Sequence, residues 1–476
     1  MRDASSPPPL EQRRAVVARI EASAARLGRT LGMDRRAFLR SSGGMAATFL
    51  ALNEVYGRFF RVDPAEAAAP RGEKPPRPDT RADPDAARPD KHRDPEPPHK
   101  FIFDVHTHHV RAGYAMDPVL GWRRFAAGDN PQRRAWSPSL GERPVTWDVL
   151  GFESWVREVF IESETDMAVL GAVASDDPAR QSLSSEDAVR SRDLVNRLAG
   201  SRRALAHGLI RPGRAGVLEE MDRMAYLLRV DGWVGDTIGD DLADSPHAWR
   251  MDDEKVAYPV WTRALKLGIT NVCIRKGLVR GDEQSVRNWR FATVDDVGRA
   301  AKDWPQLHFV IAHAACRSWL DATTALQEFR TSGRIPWVTD LAAIPSKYGV
   351  RNVFADVSGV FASTVTTVPE LTAAILGQLV KGMGPDHVLW GTDAVWSGSP
   401  QWQIEAFRRF EIPDEMQHAH GFVPLAAGNG RVKRQIFGQN AAWLYHIRAR
   451  QPLGPVPLNF KEKLRSWPGA TAPGPT

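Results

Sequence analysis

Residues 101–109 read Phe101-Ile102-Phe103-Asp104-Val105-His106-Thr107-His108-His109. An apolar run that ends in imidazoles has the pattern of a buried strand with a polar tip. Side chains alternate along a strand, so His106 and His108 leave on the same side at its C-terminal end. Two imidazoles converging there suit one metal ion. The same format returns twice, in Phe309-Val310-Ile311-Ala312-His313 and in Val388-Leu389-Trp390-Gly391-Thr392-Asp393. A lone strand-end histidine is more often a packed residue, and a lone aspartate a helix cap. Three strand ends that each carry an imidazole or a carboxylate point to one shared centre.

Short apolar runs continue through the body at 167–174, 205–210, 232–238, 271–274, 308–312, 352–356 and 387–390. Between them lie amphipathic stretches at 153–164, 185–198, 217–228, 253–267, 294–302, 319–330 and 369–381. Strands alternating with helices predict parallel pairing. Eight such strands suggest closure into a (β/α)8 barrel, whose chemistry sits at the C-terminal ends of the strands. A doubly wound open sheet is the alternative, but no glycine-rich phosphate loop follows the first strand.

With these motifs the chain resembles the amidohydrolase superfamily, in the branch that contains aminocarboxymuconate semialdehyde decarboxylase. The resemblance spans roughly residues 100–447 and includes a closing segment, Ile436-Phe437-Gly438-Gln439-Asn440-Ala441-Ala442-Trp443-Leu444-Tyr445. It implies a divalent ion, usually zinc with manganese as the other candidate, held by His106, His108 and Asp393, with His313 and Asp393 catalytic. It implies a small-molecule substrate and one of two reactions. In the first, a water activated by the metal attacks an amide, lactone or ester carbon; in the second, a small carboxylic acid, aromatic or not, is decarboxylated without oxidation. A third outcome is an inactive barrel kept as a small-molecule binding protein.

One position departs from that pattern. Where the branch supplies a ligand histidine from strand five, this chain reads Cys273-Ile274-Arg275-Lys276-Gly277. Arg275 stays protonated and has no lone pair for a metal. The ion could be held without that ligand; Lys276 could serve in carbamylated form; or metal binding is weak and Arg275 clamps a substrate carboxylate. Plain rim charges are the bland alternative.

The 476 residues are 42% hydrophobic and 25% charged, an ordinary globular composition, and carry a net charge of +6. The first 100 residues hold 19 Lys and Arg against 14 Asp and Glu, which leaves the remainder close to neutral. No basic cluster in the body suits a nucleic acid. Residues 34–40, Asp-Arg-Arg-Ala-Phe-Leu-Arg, precede a Gly/Ala-rich apolar run at 41–52, and Ala65-Glu66-Ala67 offers a small-x-small cleavage site. The order resembles a twin-arginine export signal, which implies the corresponding export machinery as a partner and a periplasmic or extracellular location. The expected organisation is a signal region at 1–69, a Pro-rich disordered linker at 70–99, the barrel at 100–450 and a loose tail at 451–476. Cys273 and Cys316 are expected as buried thiols, with a bridge as the alternative; a homo-oligomer is compatible with all of this. Residues 111–150, with Trp122, Trp136 and Trp147, are expected either to lid the mouth or to bury their indoles locally. Trp233, Trp249, Trp396 and Trp402 lie near predicted mouth loops and could wall an aromatic pocket.

Overall fold

The computed structural model describes residues 9–68, 101–114, 123, 135–137, 140, 147–176, 178–239, 245–277, 287–317, 322–426, 430–448 and 453–466. Eight strands follow one another around a single parallel sheet: β1 (Phe103–Thr107), β2 (Met167–Leu170), β3 (Ala204–Leu209), β4 (Gly232–Asp236), β5 (Asn271–Arg275), β6 (His308–Ala312), β7 (Val353–Asp356) and β8 (Val388–Leu389). The sheet curls until its last strand meets its first, where Val105 N–H donates to the Trp390 carbonyl at 2.9 Å and Thr107 bridges Ala394 in parallel. The result is the (β/α)8 barrel, with helices such as Ser185–Ala199 and Pro369–Met383 outside it.

Phe103, Val105, Met167, Val169, Leu205, Cys273, Val310, Ala312, Phe354 and Leu389 fill the barrel interior. The closing helix Asn440–Leu444 plugs its lower end: Leu444 and Tyr445 join the interior cluster, and the Asn271 side chain donates to the Leu444 carbonyl at 2.9 Å. Cys273 and Cys316 are buried and unbridged.

Simple alternation would put Phe103, Val105 and Thr107 on one side and the two histidines on the other. The β1–β2 register instead shifts by a residue between Asp104 and Thr107. Such an extra residue reverses which side chains face inward. Phe103 and Val105 therefore stay inside, while Thr107 points outward and accepts from the Trp155 indole at 2.9 Å. His106 and His108 are thereby free to turn into the mouth.

At both ends the described residues pack against the barrel. Residues 9–68 form four helices, α1 (Pro9–Thr30), α2 (Arg35–Leu39), α3 (Ser42–Tyr56) and α4 (Pro64–Ala68), and their apolar side chains belong to the same core as the barrel's outer layer. Asp34 and Ser41 cap α2 and α3 through the amides of Ala37 and Gly44. Arg35 and Arg36 are exposed, while Phe38, Phe49 and Leu52 are fully buried, each worth about 1.5–3 kcal/mol of transfer free energy. The apolar run after the arginine pair thus serves as core. Among the described residues of the tail, 453–466, Val456, Phe460 and Leu464 are buried. The expected linker at 70–99 lies outside the described residues. No helix among the described residues is long and apolar enough to cross a membrane.

Candidate metal centre

The ends of β1 and β8 meet at the barrel seam. Asp393 N–H donates to the His106 carbonyl at 3.0 Å, and His108 N–H to the Ala394 carbonyl at 2.5 Å. Asp393 adopts a left-handed backbone (φ 61°), a conformation that Asp tolerates better than most residues. His106, His108 and Asp393 then offer ligand atoms that all lie within 4.8 Å of one another. Asp393 Oδ1 is 3.3 Å from His108 Nε2 and 3.9 Å from His106 Nε2.

The backs of the imidazoles set their tautomers. His108 Nδ1–H donates to the Gly171 carbonyl at 2.7 Å, His106 Nδ1–H to Asp356 at 2.5 Å, and His313 Nδ1–H to the Ser358 carbonyl at 3.1 Å. A proton fixed on Nδ1 leaves Nε2 as the electron-pair end. His313 is brought beside the centre, its ring centroid 4.9 Å from that of His106, and Ser358 Oγ lies within 2.9 Å of His106 Nδ1 and 3.2 Å of His313 Nδ1. Two imidazoles and one carboxylate, with acceptors behind the rings, fit a divalent cation with open positions left for a substrate.

Electrostatics follow the same geometry. Burial pushes the Asp393 carboxyl up, but the neighbouring His108, His313 and His106 imidazoles together hold it well below the usual carboxylate range. Burial pushes His106 down, yet Asp356 at its back outweighs this and raises it to about 9. Burial lowers His313 to about 4, so that ring is neutral at neutral pH. Burial raises Asp104 to about 7, although it accepts from Thr392 and from the His106 amide.

Asp104, Asp356 and Ser358 were not singled out in the sequence. Asp356 ends β7 as Asp393 follows β8, so the strand-end signal was present there as well. Gly391 has a related duty: a Cβ on it would sit 2.2 Å from Asp356 Oδ1. The Gly391-Thr392-Asp393 segment therefore gives clearance, a hydrogen bond to Asp104 and a candidate ligand in three successive residues.

Arg275 does end β5, and parity with Cys273 turns it into the barrel, where its Nε pairs with Asp236 at 3.0 Å. Lys276 points the other way. Its Nζ lies 2.8 Å from Asp296 and donates to the Phe291 carbonyl at 2.8 Å, with no exposed surface and with burial lowering its pKa. That geometry gives it an ion-pair role away from the three ligands. Of the tryptophans expected at the mouth, Trp396 is there, stacked on His108 at 5.3 Å. Trp233, Trp249 and Trp402 are core side chains, Trp136 packs on Trp402 and Phe49, and the side chains of Trp122 and Trp147 lie outside the described residues.

A family model described as amidohydrolase matches residues 103–447, nearly the whole barrel. The chain belongs to the amidohydrolase family. Family membership makes this amidohydrolase an enzyme, and His106, His108 and Asp393 give it a candidate divalent-metal site at the mouth. No curated protein sequence matches it. Solved structures with a similar barrel include 5-carboxyvanillate decarboxylase from Sphingomonas paucimobilis, at 18% identity and TM-score 0.41, covering 74% of this chain and 100% of that one. A TIM-barrel protein from Bordetella bronchiseptica shares 16% identity over 73% of this chain and 98% of its own, with TM-score 0.45. A 5-carboxyvanillate decarboxylase from Novosphingobium aromaticivorans, solved with bound manganese, shares 14% over 73% and 97%, with TM-score 0.37. The family match, rather than these distant likenesses, places the amidohydrolase chain.

Proposed function

We propose that this amidohydrolase acts on a small carboxylic acid and removes its carboxylate without oxidation. The observation that carries this reading is Arg275, a permanent cation turned into the barrel mouth and seated against Asp236. A guanidinium in the ring of strand ends that also bears His106, His108 and Asp393 suits an anionic substrate better than a neutral ester. Zinc is the ion proposed for those three residues, with manganese second, and it would supply Lewis acidity to the substrate's polar group. Asp393, held ionised, accepts a proton from the substrate's own hydroxyl or from water. It returns that proton to the carbon that keeps the electron pair when CO2 departs. His313, neutral and fixed through Ser358, presents Nε2 to the substrate and orients it.

A second reading, hydrolysis of an amide, lactone or ester, is favoured by the same ionised Asp393, which could equally take a proton from an attacking water. CO2 release from a panel of hydroxybenzoates and unsaturated dicarboxylic acids by the metal-loaded enzyme tests the first. Release that disappears in Asp393→Asn supports it; turnover of lactones or esters without CO2 replaces it with the second. The proposal includes export by the twin-arginine route, supported by the Arg35-Arg36 order alone and tested by fractionating cells that express the full chain.

A further inference from the structure

The N-terminal helices make contacts that a removable leader has no use for. Past α3 the chain turns at Gly57 (φ 105°), and Asn53 locks the turn: its amide donates to the Phe60 carbonyl at 2.7 Å, and its Oδ1 accepts from the amides of Phe59 and Phe60 at 3.0 Å each. The turn sets Phe60 as an antiparallel bridge to Phe410 on the barrel side. Arg61 N–H donates to the Arg409 carbonyl and Glu411 N–H to the Phe59 carbonyl, both at 2.8 Å, and Arg409 donates to Glu66 at 3.0 Å. The small-x-small sequence Ala65-Glu66-Ala67 lies within α4, with Ala67 buried. A protease that needs an extended, accessible strand cannot read it there.

From α3 a packed path runs to the metal centre. The Phe49 ring lies 5.7 Å from Trp136, and Trp136 stacks on Trp402 at 6.1 Å. The Trp402 indole donates to the Ser397 carbonyl at 3.3 Å; the Ser397 hydroxyl donates to the Thr392 carbonyl at 2.9 Å; and Gln403 donates to that same carbonyl at 3.1 Å. Thr392 precedes Asp393. β8 itself ends at Leu389, so the segment that bears Asp393 is held by single hydrogen bonds to β1 on one side and by what packs behind it on the other.

We propose that residues 42–68 remain in the working enzyme as a buttress that positions the Asp393 turn. This rests on Asp393 being a metal ligand, and the test separates the two. Mn2+ affinity and melting temperature are measured on the full chain for Phe49→Ala, Ile20→Ala and Asp393→Asn. Ile20 is buried in α1, off the path to the metal centre. Phe49→Ala should weaken Mn2+ binding several-fold and lower the melting temperature, whereas Ile20→Ala should lower the melting temperature alone. Equal Mn2+ affinity in Phe49→Ala and Ile20→Ala, with Asp393→Asn still defective, overturns the buttress. Normal Mn2+ binding in Asp393→Asn overturns the ligand assignment beneath it. The intact mass of the chain, taken from whichever fraction of an expressing bacterium holds it, should include residues 42–68. A folded, Mn2+-binding form that begins after Ala67 also overturns the proposal.

Discussion

Two arcs of one rim handle charge in opposite ways. On the arc formed by β1, β7 and β8, His106, His108, Asp393 and, behind them, Asp356 stand close together with their electron pairs turned to a common point. On the arc formed by β4 and β5, charge is cancelled pair by pair: Arg275 by Asp236, and Lys276 by Asp296. The first arrangement gathers carboxylates around imidazoles in one buried space and has only a protonated His106 to balance them, which a divalent cation would replace. The second arrangement needs no metal to balance it, and Arg275 within it keeps a guanidinium at the mouth that a substrate carboxylate could engage. Function is readable from which arc is unfinished, rather than from how many charged residues each holds.

The largest effect should come from Asp393→Asn. It should abolish metal binding, beyond the roughly 100-fold loss typical of groups that only support a ligand; equilibrium dialysis against Mn2+ or Zn2+ checks it. Next, Lys276→Met leaves Asp296 buried and uncompensated and should cost about 3–5 kcal/mol in chemical denaturation. Metal affinity should survive that substitution, and a large loss of affinity would erase the distinction between the arcs.

Asp356→Asn probes the unfinished arc through pH. His106 is raised to about 9 by Asp356 and must shed a proton to bind metal, so wild-type affinity should climb about tenfold per pH unit up to about 9 and then level off. Without the carboxylate, His106 titrates nearer its ordinary value and the slope between pH 7 and 9 should vanish. Above pH 9 the variant should bind about 10–100-fold more weakly, having lost the acceptor that aims the ring. The gap should close towards pH 7, where only the wild type has a proton to release. Smallest of all, Arg275→His should open the neutralised arc, tightening metal binding by about tenfold, or 1.4 kcal/mol. Unchanged or weaker binding would mean that β5 does not reach the centre.

Much of this was legible in the sequence because it obeys local rules. All eight strands fall within a few residues of their expected positions, since short apolar runs between helical stretches have few other uses in a chain of this length. His106, His108, His313 and Asp393 were visible as polar ends of apolar runs. The bulge in β1 was not, because the two histidines share a face with or without it. Asp356 shared the strand-end signal, but Asp104 and Ser358 carry no pattern of their own; their roles exist only where strands meet. Trp233 shows the limit of nearness to a strand end: it alternates with Val234, which packs against the interior, and so points outward into the core between sheet and helices. The run after Arg35-Arg36 is ambiguous in composition: a moderately apolar Gly/Ala helix reads the same whether an export machine or a protein core receives it, and its packing partner Trp136 lies far along the chain.

The candidate ligands come from the first and last staves of the barrel, and that placement has a consequence for assembly. No fragment lacking either end could own the site, so a bound cation would report that the cylinder has closed. Once in place it would also act as a clasp across the β8–β1 seam, adding stability in proportion to the logarithm of its concentration. Stripping the ion should therefore loosen the barrel first between β8 and β1, where hydrogen exchange would be expected to quicken before it does anywhere on the opposite wall.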